Sequence, residues 1–262
     1  MPIECSIPIQ TVSLDEFRAL DYQLMSHAFA CQNAIGSLAD ERVYQSDLAA
    51  RLVNAGFQID REVAIKLSHN LFQKSLYLDL VINRNAVYEL KVAVALSDAH
   101  RSQLLTYLYL LNLDRGKLVN FATQKVQTEF VNAALPDIER HSFDIDKSKY
   151  CGPAALVDMI VDLVSDWGTA LSLSLYREAI VHLAGGPEQV EAMLPMKRDS
   201  IDIGSQRFCV ISQNEAFQIT TINKPNTDFQ SHLERLIQFS PIVKLHWVNI
   251  ERHRIQFITV QN

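Results

Sequence analysis

Asp79, Glu89 and Lys91 are three charges set in a stretch that is otherwise almost wholly apolar. They stand in Leu76-Tyr77-Leu78-Asp79-Leu80-Val81-Ile82 and in Ala86-Val87-Tyr88-Glu89-Leu90-Lys91-Val92-Ala93-Val94, with Asn83-Arg84-Asn85 between. Two apolar runs about a polar turn predict a hairpin of largely buried strands. Side chains alternate faces along a strand, so Glu89 and Lys91 share a face with Val87 and Ala93, and Asp79 shares one with Tyr77 and Val81. Pairing about the turn then brings Asp79 towards Glu89 and Lys91. A buried charge is costly unless it is paired or holds a metal, and aspartate is a poor strand residue. Two carboxylates beside one ammonium are the donor set of a divalent-cation site. Taken alone, Glu89-Leu90-Lys91 also reads as a solvated edge or a cross-strand ion pair worth about 0.2–1 kcal/mol.

The order acid, about ten residues, acid, any residue, lysine resembles the core of the PD-(D/E)XK nuclease superfamily. Upstream, Gly36-Ser37-Leu38-Ala39-Asp40-Glu41-Arg42-Val43-Tyr44 resembles the glycine, glutamate and tyrosine pattern of its GxxExxY group. Downstream, Gln103-Leu104-Leu105-Thr106-Tyr107-Leu108 is similar to that group's glutamine-bearing helix, and Leu118-Val119-Asn120-Phe121 to its closing strand. The similarity runs over residues 22–131, with one departure: Leu38 stands where the group has a second glycine. The resemblance implies a restriction-endonuclease-like α/β fold, a mixed sheet flanked by helices. It also implies a Mg²⁺ or Mn²⁺ site made by Asp79, Glu89 and the Leu90 carbonyl, with Glu41 binding a metal-linked water or a second ion. Lys91 would hold or deprotonate the attacking water, its pKa lowered by burial beside a cation, and Gln103 would orient a phosphate or the water. Tyr44 would support Glu41. Taken singly, Glu41 is a dipole-favoured first-turn residue and Gln103 an ordinary amide at a helix start.

The elements that must position these residues follow from local pattern. Ser13 with Glu16 forms a capping box and opens a helix that runs to Asn33. A second helix covers Glu41–Asn54, with Tyr44, Leu48 and Leu52 as its core stripe and Gly56 as its stop. A strand from Ile59 to Leu67, a turn at Ser68-His69-Asn70 and the charged hairpin come next. Ser97 caps a helix to Leu111, and two more strands close the unit.

The second half repeats this plan. Gly168 to Tyr176 matches the interval Gly36 to Tyr44, and His232–Val260 can be laid on Gln103–Val131 without a gap, Asn249 falling on Asn120. Two α/β segments of similar rhythm could also coincide by chance. Under this alignment Asp79 falls on Cys209, Glu89 on Ile219, Lys91 on Thr221, Glu41 on Leu173 and Gln103 on His232, so every candidate residue is replaced. The expected organisation is two tandem copies: residues 1–146 with the site, and 147–262 as a degenerate copy, an intrachain pseudo-dimer. The charged segment Asp137–Lys149 is read as the linker.

The 262 residues are 48% hydrophobic, enough for one large or two small cores. No apolar run reaches the length of a membrane span and no leader pattern opens the chain, which makes the expected location cytoplasmic. The four cysteines, Cys5, Cys31, Cys151 and Cys209, show neither zinc nor disulfide spacing. The histidines, His27, His69, His100 and His141 among them, show no ligand spacing, and His100 alone lies one turn from Gln103. Net charge is −6, with 13 Lys and Arg against 18 Asp and Glu up to residue 146. Phosphate contacts from Lys and Arg supply most non-specific nucleic-acid affinity. A nucleic-acid partner, DNA before RNA, would therefore be held weakly or with help from a partner protein, and a homo-oligomer is open.

Two functions from different classes emerge. One is a Mg²⁺-dependent phosphodiester hydrolase on DNA, and the other a catalytically inactive binding or assembly module on the same scaffold. A chaperone-like or metabolic α/β protein would need a large apolar pocket.

Overall fold

The computed structural model describes residues 3–222 and 227–261, which divide into two compact units. Unit 1 comprises Met1–Ser68 and Gln73–Pro136, and unit 2 comprises His69–Phe72 and Asp137–Asn262. Each is an α/β unit built on one six-stranded mixed sheet flanked by helices, consistent with two tandem restriction-endonuclease-like domains.

Unit 1 runs β1 (Ile3–Cys5), α1 (Leu14–Ile35), α2 (Glu41–Asn54), β2 (Ile59–His69), β3 (Phe72–Ile82), β4 (Ala86–Lys91), α3 (Asp98–Leu110), β5 (Arg115–Asn120) and β6 (Gln127–Asn132). Its strands lie in the order β1-β2-β3-β4-β5-β6. The Ser13–Glu16 capping box forms as expected and starts α1. Asn83 and Arg84 both take positive φ, 50° and 54°, within the three-residue connection Asn83-Arg84-Asn85 between the paired Ile82 and Ala86. Strand β2 outlasts its expected end by two residues, and the turn moves to Asn70, at φ 51°.

The sheet of unit 1 has two covered faces. Leu80, Ile82, Tyr88, Leu90, Val119 and Phe121 pack with Phe17 and Leu24 of α1 and with Tyr44, Leu48 and Leu52 of α2. On the other face lies α3. Val87 pairs with Gly116, where a Cβ would come within 3.2 Å of Leu104 Cδ1 and 3.3 Å of Leu108 Cδ2. The bare backbone of Gly116 thus lets α3 close on the face that carries Val87 and, two residues on, Glu89.

Unit 2 runs α4 (Asp137–Arg140), β7 (Asp144–Lys149), α5 (Ala154–Trp167), α6 (Leu173–Leu183), α7 (Pro187–Val190), β8 (Glu191–Arg198), β9 (Ile201–Val210), β10 (Glu215–Thr220), α8 (Thr227–Ile237), β11 (Lys244–Ile250) and β12 (Arg254–Gln261). The strand order is β7-β12-β11-β10-β9-β8, with β8 as an edge strand that carries the exposed Pro195. Segment 137–149, expected as linker, is part of the unit. Its β7 pairs with β12, and Arg140 is buried, donating to the backbone carbonyls of Thr169 and Trp167.

Both units place an antiparallel pair, a parallel pair and an antiparallel pair in the same succession, β3-β4-β5-β6 and β9-β10-β11-β12. The Tyr44 hydroxyl donates to the Gly36 carbonyl at 2.7 Å and accepts from Ala39 N at 3.1 Å. The Tyr176 hydroxyl likewise donates to the Gly168 carbonyl and accepts from Leu171 N. Asn120 bridges the N–H and C=O of Ala93, and Asn249 those of Ile222.

The ladders correct the sequence alignment by one residue. Val87 pairs with Gly116 and Val81, and Ala216 pairs with Leu245 and Val210. Laid on these registers, Asp79 corresponds to Phe208, Glu89 to Gln218 and Lys91 to Thr220, rather than to Cys209, Ile219 and Thr221. A one-residue slip exchanges the two faces of a strand, so the correction changes which side chains are compared.

Candidate active site

The β3–β4 ladder holds Ile82 to Ala86, Val81 to Val87 and Leu80 to Tyr88. One residue further, the Leu90 N–H is taken by the Asp79 side chain, with Oδ2 accepting at 2.7 Å. A residue's N–H and C=O leave an extended strand by the same edge, so the Leu90 carbonyl faces the same gap between β3 and β4.

Asp79 and Glu89 lie on one face, two residues beyond the paired Val81 and Val87. Glu89 is 1% exposed. Its Oε1 accepts from Lys91 Nζ at 2.9 Å, and its Oε2 is buried without a hydrogen-bond partner. An unpartnered buried carboxylate oxygen is disfavoured by about 1–3 kcal/mol or more. Burial, with the neighbouring Asp79 charge, pushes the Glu89 carboxyl up to about 8, against the opposing pull of Lys91. Burial likewise pushes Asp79 up to about 6, although the Leu90 N–H and Lys91 oppose it. Burial works to lower the pKa of Lys91, but the Glu89 and Asp79 carboxylates outweigh it and hold the ammonium above its usual range. With no cation beside it, Lys91 is thus held as an ammonium.

Glu41 enters from the first turn of α2, and its charge bears on Asp79, Glu89 and Lys91. The Tyr44 hydroxyl, tied to both sides of the loop that precedes α2, fixes the helix start from which Glu41 projects. Gln103 does not touch the carboxylates. Its amide donates at 2.8 Å to the Tyr107 hydroxyl, and that buried phenol is raised by burial and then by the charge of Glu89. His100 completes the cap of α3 with Ser97; burial first, then Lys91, lowers its pKa.

Three residues at this site lack any mark in the sequence pattern. Gln45 of α2 donates at 3.0 Å to the Asp79 backbone carbonyl and at 2.6 Å to Glu62 Oε1. Arg61 donates to Gln45 Oε1 at 2.9 Å. The charge of Glu62 bears on both Asp79 and Tyr107.

Among the described residues no group of three or more His, Cys, Asp or Glu side chains forms a ready-made metal cage. Mg²⁺ needs few protein ligands because it keeps several of its waters and prefers oxygen donors. Asp79, the orphaned Glu89 Oε2 and the Leu90 carbonyl turned to the gap between β3 and β4 fit that requirement. In unit 2 the corresponding positions carry no ionised group: Phe208 lies in the apolar core, and the Thr220 hydroxyl is bonded to Asn249 and Trp247. Leu173 and His232 stand where unit 1 has Glu41 and Gln103.

Residues 18–132 match the family model of the PD-(D/E)XK nuclease superfamily. A solved structure titled "Crystal structure of SSO0001" is 17% identical over 48% of this chain and 81% of its own, with a TM-score of 0.25. No curated protein matches the chain.

Proposed function

From the match of residues 18–132 to the family model of the PD-(D/E)XK nuclease superfamily, we propose that the chain is a divalent-metal-dependent phosphodiester hydrolase acting on DNA. Unit 1 carries the chemistry, and unit 2 is a duplicated copy that has lost it. The observation that carries the reading is the buried, unpartnered Glu89 Oε2 beside Asp79 and Lys91. A cation would supply the missing partner.

Asp79, Glu89 and the Leu90 carbonyl would hold Mg²⁺ or Mn²⁺, with Glu41 reaching it directly or through water. When bound, the ion neutralises phosphate charge and makes water a better nucleophile. Lys91 stays protonated against Glu89 and offsets charge on the pentacoordinate phosphorus, holding the attacking water by donation. Gln103 acts through Tyr107, fixing the phenol beside Glu89. The shared strand succession and the paired Tyr–Gly and Asn bridges support the duplication, and the absence of charge at Phe208, Gln218 and Thr220 supports the loss of the chemistry from unit 2.

The test is cleavage of single- and double-stranded DNA in Mg²⁺ or Mn²⁺. Lys91→Met and Glu89→Ala are expected to lower turnover by about 100-fold or more. Unchanged turnover in both would remove these residues from the mechanism. The acidic charge of the chain favours a second reading, an inactive scaffold that binds a protein partner. A wild-type chain whose melting temperature ignores millimolar Mn²⁺ would point there, since a ligand bound only by the folded state must stabilise it.

A further inference from the structure

We propose that Gln45 is the positioning residue that fixes the Glu41 carboxylate relative to Asp79, with Arg61 and Glu62 holding its amide; the inference rests on the metal-site reading above. Gln45 follows Glu41 by four residues and therefore shares its face of α2. It is 4% exposed. A primary amide has two N–H donors and one acceptor oxygen. Both kinds of atom are in use: Nε2 donates to the Asp79 carbonyl at 3.0 Å and to Glu62 Oε1 at 2.6 Å, and Oε1 accepts from Arg61 Nη2 at 2.9 Å. That network assigns the amide its orientation. It also fastens the helix that presents Glu41 to the very strand residue that presents Asp79.

The backbone of β2 is shaped for this contact. In a regular strand Arg61 and Glu62, as neighbours, would point to opposite faces. Glu62 instead has φ 50°, and both side chains reach Gln45. The alternation of buried positions resumes only beyond it, at Val63, Ile65 and Leu67. A left-handed glutamate inside a strand persists only where its surroundings over-determine it, and such residues cluster at functional sites. Arg61 also donates to Ser46 Oγ at 3.0 Å, which ties β2 to the next residue of the helix.

A glutamate at position 45 would set one carboxylate against another and leave the Asp79 carbonyl without a donor. The paired exchange of Gln45→Glu with Glu62→Gln restores a donor and an acceptor to that contact and keeps a partner for Arg61. It still provides nothing for the Asp79 carbonyl. This separates positioning from mere support.

The experiment is Mn²⁺ titration calorimetry on the full chain, with melting temperature measured in parallel. Gln45→Glu is expected to lower both the melting temperature and Mn²⁺ affinity, the latter by about 10–100-fold, as outer-shell changes at metal sites do. The paired exchange is expected to recover the melting temperature while affinity stays about tenfold down or more. If Gln45→Glu alone does not fold, the paired exchange is compared with wild type directly. Affinity that returns together with the melting temperature, or never falls, overturns the positioning role and leaves the metal site standing. A wild-type chain that binds no Mn²⁺ overturns both.

Discussion

Glu89 concentrates the conflict on which the site depends. Its carboxyl is pushed up to about 8 in the metal-free fold, against an ordinary value near 4.3. A raised carboxyl pKa means that the folded state binds protons more readily than the unfolded state. Its contribution to stability is therefore present below the unfolded value and is lost as pH rises towards 8. Asp79, pushed up to about 6, acts in the same direction over a lower range. Metal binding requires the ionised forms, so Mn²⁺ affinity is expected to rise with pH through the same interval. Glu89→Gln should flatten the fall in metal-free melting temperature between pH 5 and 8, with a gain of about 2–4 °C at pH 8. The same variant should lose the Mn²⁺-induced shift. A melting profile across pH with and without Mn²⁺ tests both, and a variant that still gains stability from Mn²⁺ would count against Glu89 as a ligand.

At the scale of elements, the loop before α2 is held by a single phenol. Tyr44→Phe removes the bonds to the Gly36 carbonyl and Ala39 N and is expected to destabilise the chain by about 0.5–1.5 kcal/mol per bond lost. Because α2 carries both Glu41 and Gln45, Mn²⁺ affinity should fall as well; denaturant unfolding and calorimetry together check this. The elements around the site were legible because each carries a strong local mark: a capping box at Ser13, an apolar stripe through Tyr44, and charges within an apolar hairpin. The β9–β10 comparison slipped by one residue because the charges in those strands, Asp202, Arg207 and Glu215, do not stand at the positions of Asp79, Glu89 and Lys91 and so do not fix which face is which. Segment 137–149 reads as a connection from its charges, and only tertiary packing buries Arg140. Gln45, Arg61 and Glu62 were not legible, since their convergence depends on one positive φ angle and on a helix meeting a strand.

For the molecule as a whole, the two units show how one strand succession can be furnished differently. Unit 1 retains ionisable groups in its core, and unit 2 has a phenylalanine and a hydroxyl bonded within the fold. The second sheet also ends on β8, whose ladder partner β9 lies on one side only. Proline lacks the N–H that a further strand would need and is found in sheets at edges with its nitrogen turned outward. Pro195 therefore breaks the row of donors along that border, a guard against one chain zipping onto the next. Replacing it with threonine, a residue strands favour, should leave the melting temperature nearly unchanged. At high protein concentration, however, the variant should shorten the lag before thioflavin-positive fibres form. The wild-type border withholds from incoming chains the template on which cross-β growth begins.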